Sequence, residues 1–354
     1  MVSSAIDCVL FDMCNLNCKH CFQQHNVFKF NKDKIDEFVY HIDKTISDDI
    51  KTKSISTVLL SLRGGELFQD SLGDDVFGLY KQMIENINFL CKTKYPLINI
   101  KYHFMTNGIY NNIDRVVDFI QSVNGVMTLS YDPIGRFKTD KQLELFYRNY
   151  EILKEKKLIK NIAITLTKDS IIEYIKNKNL LKQFYQTDID INYYIPTMNG
   201  FDLPSDDDIF DFYKFLLDND IFNVLYVQNI LNSYIYGTPI GPICLCDNTT
   251  IIYNNNSYRS CNVYIPNYKL SDFYDDTNIK DLDAVESIKK QGLKKRNCIM
   301  CEYYKNCSYY CWMMLCYRKF KMSECPHKRI YKYIENNSKI IENFKIWKNT
   351  NDIK

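Results

Sequence analysis

The chain has 354 residues, 46% of them hydrophobic, and 45 Lys and Arg against 43 Asp and Glu give a net charge of +2. That length suits one large domain plus a smaller one, and the near-neutral balance leaves no basic field to hold nucleic acid. No apolar run reaches 18 residues and MVSSAIDCVLFDM lacks a signal peptide's basic start and long apolar core, so neither membrane nor secretion is expected.

Placed in the cytoplasm, fourteen cysteines read as metal or cluster ligands rather than as a disulfide framework. From residue 5 to about 220, short apolar runs alternate with amphipathic segments. The strands are predicted at Ile6–Met13, Thr57–Leu62, Ile98–Met105, Val126–Tyr131, Ile162–Thr167 and Ile189–Ile195. Helical periodicity follows them, as in 32–49, 74–92, 113–123 and 141–155. Six β/α units in a row imply a parallel sheet with right-handed crossovers, too few to close an eight-stranded barrel. The expected fold is therefore α/β, a partial (β/α)6 barrel over residues 1–220, with ligand groups at the C-terminal ends of its strands. Residues 221–243 read as a connector, punctuated by the Gly and Pro of YGTPIGP. Residues 244–330 carry nine of the fourteen cysteines and read as a small, irregular cysteine-rich domain, with 331–354 as a C-terminal helix. Cys8 and Cys91 sit in apolar runs and are expected to be buried thiols.

The first chemical motif is Cys14-x3-Cys18-x2-Cys21. One short loop can present three thiolates to three irons of a [4Fe–4S] cubane, and the next cysteine is only Cys91, so one iron is left for a ligand that is not protein. A zinc site completed by His20 or His25 is the alternative on spacing alone. Further on, the Thr57–Leu62 run leads into Arg63-Gly64-Gly65-Glu66. Glycines let backbone approach a neighbour closely, and a carboxylate suits an ammonium.

Together these motifs resemble the signature of radical S-adenosylmethionine (SAM) enzymes, in which the open iron chelates the amino and carboxylate groups of SAM. The residue before the last cysteine, usually aromatic in that family, is His20. The resemblance implies that Gly64, Gly65 and Glu66 meet the methionine ammonium. It also implies SAM contacts from Asn107 in the Thr-Asn-Gly turn after strand three, and from Ser130 and Asp132 in the Ser-Tyr-Asp-Pro segment after strand four. Arg136 and Arg148 are its two candidates for pairing the SAM carboxylate, both at unusual spacing. A plain turn explains Thr-Asn-Gly equally well by itself.

The second motif is Cys298-x2-Cys301-x5-Cys307-x3-Cys311, with Cys246 and Cys261 before it and Cys325 after it. A zinc-ribbon-like knuckle is the alternative for its central four. The set resembles the seven-cysteine SPASM domain of radical SAM enzymes that mature peptides and proteins. By that resemblance Cys246, Cys261 and Cys311 hold a first auxiliary [4Fe–4S] cluster, and Cys298, Cys301, Cys307 and Cys325 a second. Cys244 is the candidate fourth ligand of the first: if it binds, Cys316 is left spare, and if it does not, one iron stays open to substrate. Asn256 and Tyr309-Tyr310 stand where the family favours glycines. Sulfatase maturases share this architecture, but where they place a catalytic aspartate after the second SPASM cysteine this chain has Asn262, an amide that cannot take the proton.

The resemblance thus implies an oxidoreductase with SAM and three [4Fe–4S] clusters, which cleaves SAM to a 5′-deoxyadenosyl radical and takes hydrogen from a peptide or protein. Maturation of a ribosomally made peptide by oxidation or cross-linking is the expected outcome. Its partners would be a flavodoxin or ferredoxin as low-potential donor and, with 13 residues before Cys14, a separate leader-peptide-binding protein. A radical SAM dehydrogenase or epimerase of a small molecule, and a catalytically silent metal-binding interaction protein, are the alternatives.

Overall fold

The computed structural model describes residues 2–21, 25, 30–193, 204–237, 249–253, 256–259, 298–307 and 325–351. Its strands are β1 (Val2–Val9), β2 (Ile55–Arg63), β3 (Asn99–Thr106), β4 (Val126–Ser130), β5 (Ile159–Leu166), β6 (Ile189–Tyr193), β7 (Thr249–Tyr253) and β8 (Asn256–Arg259). They order as β6-β5-β4-β3-β2-β1-β7-β8 in one sheet. β1 pairs in parallel with both β2 and β7, while β8 returns antiparallel to β7. Two compact units divide the chain: Met1–Tyr131 with Arg136–Asn161 and Leu245–Asn267, and Asp132–Gly135 with Ile162–Cys244 and Tyr268–Lys354.

In the first unit, helices α1 (Lys32–Thr52), α2 (Asp74–Lys94), α3 (Ile113–Ser122) and α4 (Asp140–Glu155) follow β1 to β4. Their starts are chemically marked. Asn31, Asn112 and Thr139 each accept a hydrogen bond from the backbone N–H three residues on, satisfying a donor the helix leaves unpaired. Burial in α1 recurs at Ile35, Phe38, Ile42 and Ile46, which is one helical face. Along β2, Val58, Leu60 and Leu62 are wholly buried on one side, and the strand's other face carries Ser61 and Arg63. An aromatic cluster fills the core. Phe68 packs against Phe77, Phe104, Tyr110 and Phe119 at centroid separations of 5.9–6.1 Å.

The second unit holds α5 (Lys168–Lys176), α6 (Asn179–Lys182), α7 (Asp206–Asp218), α8 (Leu225–Tyr236), α9 (Pro326–Glu335) and α10 (Ser338–Asn351) around β6 and most of β5. Thr167 with Ser170, and Ser205 with Asp208, form capping boxes that open α5 and α7. Tyr213 of α7 meets Tyr226 of α8 at 4.4 Å, and Phe222 meets Phe344 of α10 at 5.5 Å.

The sequence-predicted strands agree with β1 to β6 within a few residues, except that β1 ends at Val9 rather than Met13. Three further features differ. The stretch 221–243, read as a connector, contains α8, whose Tyr226, Val227, Ile230 and Leu231 are buried. Beyond the six expected strands, β7 pairs with β1 from within residues assigned to the cysteine-rich domain. The terminal segment read as one helix contains the end of α9 and all of α10. Among the described residues no helix is long and apolar enough to cross a membrane.

Candidate SAM and cluster site

After β1 the chain leaves the sheet and runs into the loop carrying Cys14, Cys18 and Cys21, none of them in a disulfide. The turn after β2 is bound to that loop. Gly65 N donates to Phe11 O at 2.7 Å and Glu66 N to Met13 O at 2.9 Å, while Gln69 Nε2 reaches Met13 O at 3.2 Å. The contact is too close for any side chain. A Cβ on Gly65 would lie 1.9 Å from Met13 O, and one on Gly64 2.5 Å from Phe11 O. The two glycines thus let the turn approach the cysteine loop itself.

Glu66 is wholly buried. Its carboxylate accepts from Thr106 Oγ1 at 2.7 Å, Asn107 N at 2.6 Å and Phe68 N at 3.0 Å. Burial raises its carboxyl to about 7, against the opposing pull of those three donors and of Arg136. Thr106 and Asn107 belong to the turn after β3, which Gly108 closes at φ +72, a region that favours glycine. From that turn Asn107 Nδ2 donates to Asn15 Oδ1 at 2.7 Å and approaches Cys14 Sγ at 3.8 Å. Leu16 N donates to the same sulfur at 3.4 Å. Burial, with the Glu66 charge nearby, pushes the Cys14 thiol up to about 12.

The remaining predicted residues separate by access. Gly64, Gly65, Ser130 and Arg136 are half-exposed. Arg136 Nη2 lies 3.2 Å from Nε2 of His20, in the cysteine loop. Arg148 is directed elsewhere, its guanidinium donating to Asn111 O and to Asn149 Oδ1. Asp132 is buried and accepts from Thr165 N at 2.6 Å. Sequence reasoning passed over Asn15, whose only signal was its place between Cys14 and Cys18. It also passed over a polar row on neighbouring strands. Ser61 Oγ meets His103 Nδ1 at 2.8 Å, His103 Nε2 meets Thr128 Oγ1 at 2.7 Å, and Thr128 bonds Asn161.

No protein-family model matches the chain. It is 21% identical over 353 residues to the radical SAM cyclopropyl synthase TigE of Paramaledivibacter caminithermalis, an alignment covering 87% of this chain and 67% of that protein. Among solved structures it is similar to native anSMEcpe with bound AdoMet and Cp18Cys peptide, with a TM-score of 0.66 and 17% identity over 99% of this chain and all of that one. Native anSMEcpe with bound AdoMet gives 0.65 and 16%, over 99% and 100% of the two chains.

The chain is similar in sequence to a member of the radical SAM superfamily. Its fold is an α/β partial barrel like that of anSMEcpe. The chemistry of the donor set agrees with the superfamily's cluster: three thiols on one loop, with N–H donors already aimed at one sulfur. Among the described residues no three His, Cys, Asp or Glu side chains converge as a metal-ligand group.

Of the second cysteine set, Cys298, Cys301, Cys307 and Cys325 are described, and all four are half-exposed thiols. Cys298 and Cys301 are joined by a tight turn, Cys301 N donating to Cys298 O at 3.0 Å. Cys325 stands immediately before α9. That helix holds the Cys298–Cys307 segment through Tyr331, which stacks on Tyr303 at 4.7 Å and donates to Asn306 O, a carbonyl that Ser233 of α8 also reaches. Cys244, Cys246, Cys261, Cys311, Cys316 and Asn262 lie outside the described residues.

Proposed function

We propose that this enzyme reductively cleaves SAM and uses the 5′-deoxyadenosyl radical to take a hydrogen atom from a peptide or protein, as a step of post-translational maturation. The observation that carries the reading is the binding of the Gly64-Gly65-Glu66 turn onto the Cys14–Cys21 loop. Cys14, Cys18 and Cys21 would hold a [4Fe–4S] cluster, which supplies the electron that splits SAM into methionine and the radical. The backbone of Gly64 and Gly65, which is half-exposed, would meet the methionine end, and Ser130 and Arg136 would serve as accessible polar groups for the rest. Arg136 is preferred to Arg148 because its guanidinium stands against His20 of the loop. Asn107 and Asp132 contribute by shaping the turns that carry these groups.

A peptide substrate is favoured by the likeness to anSMEcpe with bound AdoMet and Cp18Cys peptide. Residues 244–330 would form a SPASM-type domain with two auxiliary clusters. These suit a net oxidation, because a substrate radical left after hydrogen transfer must lose one more electron. A flavodoxin- or ferredoxin-type donor would deliver electrons, and a separate protein could present the leader segment of the substrate.

The test is cofactor content. Anaerobically reconstituted protein is expected to bind about twelve irons, four per cubane, with broad visible absorption. Replacing Cys14, Cys18 and Cys21 together by Ala should remove roughly a third of that iron and all SAM cleavage. Stoichiometric zinc with little iron, or cleavage persisting in the triple variant, would overturn the reading.

A further inference from the structure

The hydrogen bonds around Glu66 continue beyond it in one direction, toward a cluster ligand. Its carboxylate holds the β3 turn through Thr106 Oγ1 and Asn107 N. Asn107 accepts from Ile109 N at 2.8 Å and donates to Asn15 at 2.7 Å, and Asn15 Nδ2 returns to Ile109 O at 2.7 Å. Asn107 Nδ2 and Leu16 N then face Cys14 Sγ. Carboxylate, turn, amide pair and sulfur form one relay. A carboxylate meant to receive a ligand's ammonium must be reachable, yet Glu66 is 0% exposed while Gly64 and Gly65 beside it are half-exposed. Three donors already occupy most of its acceptor positions.

We infer that Glu66 is a positioning residue that does not touch SAM: through Asn107 and Asn15 it fixes the Cys14 sulfur and the N–H groups that face it. This rests on the assignment of Cys14, Cys18 and Cys21 to the SAM-binding cluster. Partners behind a metal ligand hold its geometry, and their loss typically weakens metal retention 10–100-fold. An N–H aimed at a ligating sulfur also stabilises the extra negative charge of a reduced cluster, so removing it lowers the reduction potential.

The experiment uses the full reconstituted chain and three variants, Glu66→Gln, Asn107→Ala and Asn15→Ala. Three quantities are read: SAM affinity by calorimetry, the rate at which a chelator erases the paramagnetic signal that changes on SAM addition, and the midpoint potential of that signal. In Glu66→Gln the SAM dissociation constant should stay within about threefold of wild type while the signal decays roughly tenfold faster. Asn107→Ala and Asn15→Ala should show the same lability with a more negative midpoint. A tenfold or greater loss of SAM affinity in Glu66→Gln, with cluster lability and potential unchanged, would make Glu66 a ligand and overturn the inference. So would wild-type lability and potential in both asparagine variants, which decide the matter if Glu66→Gln does not fold. A wild-type protein lacking any SAM-sensitive signal defeats the cluster assignment instead, a result distinct from either.

Discussion

Gly65 and Gly78 set opposite demands on the same residue type. At Gly65 an added Cβ would fall 1.9 Å from Met13 O and 2.7 Å from Asp12 O, both backbone atoms that no rotamer change can move aside. At Gly78, within α2, nothing lies within 4 Å of the same atom, and the position is exposed. Gly65→Ala should therefore cost about 1–3 kcal/mol, as overpacked sites do, and should weaken retention of iron by the adjoining loop. Gly78→Ala should stabilise by about 0.5–1 kcal/mol, because alanine in a helix loses less entropy on folding. Urea unfolding of the apo-protein checks both. Equal and small effects would mean that the β2 turn can back away from the cysteine loop, and that the glycines serve something other than close approach. The sequence marked Gly64-Gly65 as a point of close approach, and the neighbour they admit is the protein's own backbone, 52 residues earlier in the chain at Met13. Spacing alone cannot tell that neighbour from a ligand.

Across the strands, the polar row Ser61–His103–Thr128–Asn161 links β2, β3, β4 and β5 by side chains in addition to their backbone ladder. His103 is the titratable member. Burial lowers it to about 3, with Lys160 and Arg63 adding to the effect, and Arg63 is itself paired with Asp7. The unfolded chain would take up a proton on this histidine near pH 6.5, while the folded one resists until about 3. Between those values the unfolded state binds more protons, so stability falls as pH drops through the window. The contribution is on the order of 3–5 kcal/mol over the full span. His103→Asn, neutral at every pH, should flatten the acid side of a stability–pH curve measured by urea unfolding at pH 7, 5.5 and 4.5. An unchanged slope would mean that His103 is hydrated and titrates normally. None of this row was evident from strand prediction, which registers alternation within a segment but not register between segments. For the same reason β7 went unseen as a partner of β1, and α8 was hidden by the Gly and Pro residues that follow it.

For the molecule as a whole, the legible chemistry was the kind that short spacing encodes: Cys14-x3-Cys18-x2-Cys21 and Cys298-x2-Cys301 each sit on one segment. The amide pair of Asn15 and Asn107, separated by 92 residues, required the fold. The two cysteine sets also invite a division of labour that can be tested. The three thiols Cys14, Cys18 and Cys21 and the proposed SAM contacts Gly64, Gly65, Ser130 and Arg136 come from the first unit, whereas Cys298, Cys301, Cys307 and Cys325 belong to the second. If that second set holds an electron-accepting cluster, the two half-reactions should come apart when it is lost. SAM cleavage needs one electron in and yields methionine and the radical, which becomes 5′-deoxyadenosine on taking the substrate's hydrogen. Completing an oxidation needs one electron out. Cys325→Ala removes a ligand at the start of α9, and the Tyr331–Tyr303 stack and the Asn306 contacts remain to hold the segment. The variant should fold less stably, as metal-nucleated regions do on losing metal, yet stay soluble. It should still produce 5′-deoxyadenosine, but the ratio of 5′-deoxyadenosine to modified peptide should rise sharply, because the substrate radical is left without an acceptor and is quenched. Full product formation at a ratio near the wild-type value would reduce the second cysteine set to a structural staple. Loss of SAM cleavage along with product would place that set in the first half-reaction and end the division of labour.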